Sequence, residues 1–134
     1  MEAGQEMKRF EDVYPKHPRN SFIYMASPFR SYAPNLYAAY DFARMAQGAL
    51  WRAGVNVFSP IACFYPTATW EGVDQTDHDW WMKHDAPYMR SAIACIVLKI
   101  DGWDTSKGVK EEIEFFEKRN SNIYSLEYPV DLQP

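Results

Sequence analysis

The run Ala92-Ile93-Ala94-Cys95-Ile96-Val97-Leu98 limits most sharply what this chain can fold into. It is strand-sized, far short of the roughly 18–20 apolar residues that cross a membrane. Its near-continuous apolar character suits a strand buried on both faces, as in a parallel sheet covered by helices. Three further short runs read as strands: Ser21–Ala26, Val55–Ser59 and Asn122–Leu126. Helical patterns separate them. After Pro34-Asn35, residues Leu36, Ala39, Tyr40, Ala43 and Leu50 recur at helical spacing, and Gly54 supplies a stop. Ser106 can cap another helix from Lys107 to about Lys118.

Strands alternating with helices predict an α/β fold, a flavodoxin/Rossmann-like three-layer sandwich with a mostly parallel sheet of four to five strands. One domain spans residues 21–134, preceded by a polar arm, residues 1–20, broken by Pro15 and Pro18. From Pro60 to Gln75 there is no clean period, and a loop longer than ~12 residues often serves as a lid or binding loop. Thr76 followed by Asp79 resembles a capping box for the next helix. Pro87 should limit or kink that helix near Asp85. In such folds ligands sit outside the carboxyl ends of the strands. That rule selects residues 27–35, 59–76, 100–112 and 125–128.

Composition narrows the functional classes. A net charge of −4 with no Lys/Arg block argues against a duplex-binding module. The charged first twenty residues carry no apolar core of a secretory signal, and nothing is long enough to enter a membrane. With two cysteines, Cys63 and Cys95, one of them inside the apolar run, a reduced cytoplasmic chain is expected. Five Trp, nine Tyr and eight Phe exceed what a small core needs, so some should line a pocket or an interface. Trp70, Trp80, Trp81 and Trp103 fall on segments expected to border the strand-end cleft.

Glu112 carries the strongest chemical signal. Val109, Ile113 and Phe116 form an inward stripe, and Glu112 shares that side while Glu111, Glu114 and Lys118 are better placed for solvent. A buried carboxylate needs a partner. It is either an acid favoured by the helix dipole or a nucleophile or base facing the cleft. Ser106 reads as a plain N-cap, yet Gly108 beside it lets a ligand approach a helix start suited to anions. Tyr24 is either core or part of a site with the following Ser27-Pro28-Phe29-Arg30-Ser31 loop. Arg30 is either an anion ligand or a surface charge. His78-Asp79 and His84-Asp85 are six apart and do not stack on one helical face, so no metal site is expected; Asp85 reads better as a lone acid in the cleft. There is no Walker loop, G-x-G-x-x-G, G-x-S-x-G or C-x-x-C, which removes support from kinase, dehydrogenase and serine-hydrolase readings.

Two motifs carry a family resemblance. Ile23-Tyr24-Met25-Ala26-Ser27-Pro28-Phe29 resembles the opening strand of the nucleoside 2-deoxyribosyltransferase-like superfamily. Asp85, the Ala94–Leu98 strand and Ser106-Lys107-Gly108-Val109-Lys110-Glu111-Glu112-Ile113 resemble its second signature. Ser27 stands where that family often has Gly, and Val109 where it often has Thr or Ala. The resemblance implies that Glu112 is the nucleophile at the anomeric carbon, that Tyr24 orients it, and that Asp85 assists the departing base. Ser106, where transferases carry an acid, implies a nucleoside 5′-monophosphate. Ser125 matches a position reaching a neighbouring subunit's site, which implies a homo-oligomer, a dimer or higher.

The chemistry is that of two carboxyls ~5–5.5 Å apart in retaining glycoside hydrolysis. No cofactor is required, and Trp70, Trp80 or Trp81 should stack on the base. The expected function is cleavage of the N-glycosidic bond of a nucleoside 5′-monophosphate or deoxynucleoside. The alternatives are base exchange, an NAD-type glycohydrolase, and a non-catalytic nucleotide-binding domain.

Overall fold

The backbone alternates as expected, and its alternation sets the layers. The computed structural model describes residues 8–9, 20–31 and 35–127. The chain runs β1 (Lys8–Arg9), β2 (Ile23–Ala26), α1 (Leu36–Arg52), β3 (Val57–Phe58), α2 (Pro60–Glu71), α3 (His78–Ser91), β4 (Ala94–Leu98), α4 (Lys107–Lys118) and β5 (Asn122–Leu126). The sheet is parallel throughout, in the order β1-β5-β4-β2-β3. Most of the arm expected over residues 1–20 lies outside the described residues. Within it, Lys8 and Arg9 pair with Tyr124 and Ser125 as an edge strand.

Side chains alternate across the central strands. Ile23, Met25, Ile96, Leu98 and Leu126 pack with Ala46 and Leu50 of α1 on one face. Tyr24, Ala26, Cys95, Val97 and Ile123 pack with Met89 of α3 and Val109, Ile113 and Phe116 of α4 on the other. Arg119, at the end of α4, ties that helix to the end of α3. Its Nη1 donates to Met89 O at 2.7 Å and its Nη2 to Ala92 O at 3.0 Å.

The segment expected as a loop from Pro60 to Gln75 is instead mostly the helix α2. Ser59 caps it by accepting from Ala62 N, and Pro60 occupies the first turn, where a missing N–H costs nothing. Gly72 ends it at φ 73°. Buried Gln47 fixes the junction: its Oε1 accepts from Ser59 N at 2.8 Å. The cap of α3 also differs from expectation. Asp77, not Thr76, accepts from Trp80 N, while Thr76 Oγ1 donates to Asp74 Oδ1. Pro87 sits inside α3, which continues to Ser91.

From β2 the chain adds β3 on one side, then returns to add β4 and β5 on the other. The strand order therefore reverses between β2 and β4, which is where open α/β sheets place their ligands.

Candidate functional site

A cavity of about 410 Å³ opens at this reversal. The β2–α1 loop lines it with Ser27, Phe29, Arg30 and Ser31, and α2 with Pro60 and Ile61. From α3 come His78, Trp81, Met82 and Asp85. From α4 come Ser106, Lys107, Gly108 and Glu112, and Met25 reaches it from β2.

The floor is acidic and dry. Glu112 is buried on α4, nearly two turns beyond the cap where Ser106 Oγ accepts from Val109 N at 3.2 Å. The Tyr24 hydroxyl donates to Glu112 Oε2. Tyr24 is fully buried on β2, its ring 5.7 Å from that of Phe116. Register places it beside Cys95, so the strand aims it at α4. Asp85 is only 4% exposed, and its Oδ1 has no hydrogen-bond partner; Ser27 Oγ is likewise buried and unpartnered. Unmet polar atoms of this kind call for a ligand or water.

Burial pushes the carboxyls up. Asp85 rises to about 7 through loss of solvation, with the Tyr24 hydroxyl opposing. Glu112 rises well above its ordinary value through desolvation and then the charge of Asp85, again opposed by Tyr24. Desolvation and the two carboxylates hold the Tyr24 phenol well above its usual range, so it stays a donor. Two like charges in one dry site do not both persist near neutrality. The Tyr24 hydroxyl favours the ionised form of both carboxyls, against the desolvation that raises them.

Loop geometry supports the rim. Gly102 has φ 93°, and a Cβ there would lie 2.4 Å from Ser31 O, so only glycine fits. Ser31 Oγ donates to Gly102 O at 2.9 Å, joining the loops after β2 and β4. At the start of α4, Ser106 and Gly108 face the cavity beside the N–H groups of the first turn.

The structure thus brings together Tyr24, Ser27, Phe29, Arg30, Trp81, Asp85, Ser106, Gly108 and Glu112. It does not bring in Trp70, which ends α2 at 86% exposure, away from the cavity. The expected Trp70 wall is corrected: α2 is a helix, and Trp70 on its last turn points out to solvent. Trp80 stacks on His84 with ring centroids 4.6 Å apart, and Trp103 lies under Lys99. Of the expected tryptophans, Trp81 alone lines the cavity, its Nε1 donating to Gln75 O. Pro28 is fully buried beside the site rather than lining it, and Ser125 is half-buried on β5.

His78 is the main cavity residue that sequence reasoning passed over, having been weighed only as a metal ligand. The stripe His78, Trp81, Asp85, Met89 on α3 carried the signal. Among the described residues no group of three or more His, Cys, Asp or Glu is placed to hold a metal ion. No helix among them is long and apolar enough to cross a membrane.

Residues 21–128 match a family described as "Domain of unknown function (DUF1937)", and the chain belongs to that family. No curated protein matches it.

Proposed function

We propose that this DUF1937 chain cleaves the N-glycosidic bond of a nucleoside 5′-monophosphate or deoxynucleoside, with Glu112 as nucleophile. The observation that carries the reading is the buried Tyr24–Glu112 hydrogen bond beside a second, protonatable carboxyl, Asp85, in one cavity. The resemblance to the nucleoside 2-deoxyribosyltransferase-like superfamily supports the same roles.

Glu112 attacks the anomeric carbon as the bond to the base breaks, and the bond's electron pair leaves with the base. Asp85 gives that base a proton. The oxocarbenium-like charge is stabilised by the carboxylate beneath it. Water then attacks the same carbon, returns the carboxylate to Glu112 and passes a proton to Asp85. No cofactor enters this scheme. Tyr24 fixes the attacking oxygen's partner and keeps part of its charge in place. A cavity of about 410 Å³ lies within the ~300–1,000 Å³ typical of small-molecule sites. Trp81 and Phe29, 5.3 Å apart edge to face, supply an apolar corner for the base. Ser106, Gly108 and the first turn of α4 suit the 5′-phosphate.

The reading extends to a homo-oligomer in which Ser125 serves a neighbouring copy's site. Two free thiols, Cys63 and Cys95, fit a reduced cytoplasmic setting.

The test is release of free base from a panel of nucleosides and 5′-monophosphates, followed by chromatography for the parent and Glu112→Ala. Equal release by both removes Glu112 from the mechanism. Products of exchange with an added second base assign a transferase instead. Tight binding with no turnover assigns a nucleotide-binding domain.

A further inference from the structure

The mouth of the cavity holds a polar pair that the scheme above leaves unused. His78 opens α3, and its Nε2 lies 3.1 Å from Glu111 Oε2 on α4. An ionised carboxylate only accepts, so this bond sets a proton on Nε2 and leaves Nδ1 as the ring's other polar atom. The Cε1 edge faces the first turn of α4: a Cβ built on Gly108 would lie 4.0 Å from it. The ring therefore lies near Gly108 in the first turn of α4, the turn whose N–H groups have no carbonyl to bond within their own helix.

Other charges converge here. Lys107 lines the cavity from α4. Arg30, from the β2–α1 loop, lines it too, and its Nη1 donates to Thr76 O at 3.0 Å, two residues before His78. The acids on this side are Glu111 itself, Asp74 beside Arg30, Asp77 and Asp79 on either side of His78 in the chain, and Asp85 two turns deeper on α3. Ser27 Oγ, 7% exposed and without a partner, belongs to the same cavity. The cavity is thus acidic at its floor, and at its mouth the cations Lys107 and Arg30 stand among acids.

We propose that His78, oriented by Glu111, contacts the phosphate of a 5′-phosphorylated substrate and selects it over the unphosphorylated sugar. The proposal rests on the nucleotide reading above and names the group that discriminates within it. In the doubly protonated ring, Nε2 donates to Glu111 and Nδ1 to a phosphate oxygen. A charge-assisted bond of this kind is about twice as strong as the neutral bond a hydroxyl receives. No covalent bond changes at His78. Glu111 is a positioning residue.

The experiment is calorimetric titration of the full chain with ribose 5-phosphate and with ribose, for the parent, His78→Gln and Glu111→Gln. His78→Gln should weaken ribose 5-phosphate binding about tenfold and leave the ribose affinity in place. Glu111→Gln, at a more exposed position, should weaken the phosphorylated sugar in the same sense by a smaller factor. Undiminished ribose 5-phosphate binding in both variants overturns the proposal, even if the parent releases base from nucleotides. Binding that depends on His78, in a chain that releases no base, keeps this contact and removes the glycosidase reading.

Discussion

Helices α2 and α4 occupy equivalent stations, yet they do opposite work. Each follows a strand of the same sheet, each is capped by a buried serine, and each sends its first turn into the cavity. On α4, charge and apolar side chains segregate, so one buried carboxylate stands on the core side. On α2 no such division exists: Phe64, Tyr65 and Trp70 are spread around it, and it lends the cavity only Pro60 and Ile61. A site gains its chemistry from the helix that can afford one misplaced charge among well-sorted neighbours; the other supplies a wall.

The sharpest way to break this contrast is Glu112→Ala. It should lower base release by at least about 10³-fold, read from initial rates. No substitution on α2 should approach that loss.

A second effect follows from Asp85. Its carboxyl ordinarily titrates at 3.8 and sits at about 7 in the fold. The folded state therefore holds the proton more tightly than the unfolded chain. The stability this gives is fully present below 3.8 and is lost as pH rises to and through about 7. Asp85→Asn, which has no proton to lose, should gain on the parent by about 2–3 kcal/mol between pH 5 and pH 8 in urea unfolding. An unchanged gap between the two pH values contradicts the dry floor.

The paired caps sharpen the comparison. Ser59→Ala and Ser106→Ala should each cost about 1 kcal/mol in the same unfolding assay. Only Ser106→Ala should also raise KM for a 5′-monophosphate, because only its hydroxyl faces the anion end. Smallest of all is Trp70→Ser. At 86% exposure it should change stability by no more than about 0.5 kcal/mol and leave base release intact.

The same two helices explain what was legible in the chain. The inward position of Glu112 and the Ser106 cap could be read because α4 has a period. Helix α2 could not, because it is apolar on every side and its two prolines, Pro60 and Pro66, look like breaks. Pro60 is in fact a favoured first-turn residue. The meeting of Tyr24 with Glu112, 88 residues apart, depends on register and layer order, which no local window contains. Asp85 was read as a cleft acid, but its depth follows from Trp81 and Met89 packing on either side of it along α3. His78 has no local signal beyond its pairing with Asp79, and its contact with Glu111 joins residues 33 apart.

Arg119 and His78 act at opposite ends of one helix pair. The guanidinium fastens the tail of α3 to α4, and the imidazole fastens its head to Glu111. Asp85 and Glu112 ride between these two ties, so α3 and α4 behave as the rails of a ladder whose spacing is preset. Prying them apart breaks polar bonds at both ends. Helix α2 meets α3 through ring contacts such as Phe64 on His84 and Tyr88, which slide at little cost. The α3–α4 pair is therefore held at both ends by polar bonds that fix the spacing of the two acids, whereas α2 adjoins α3 through ring contacts.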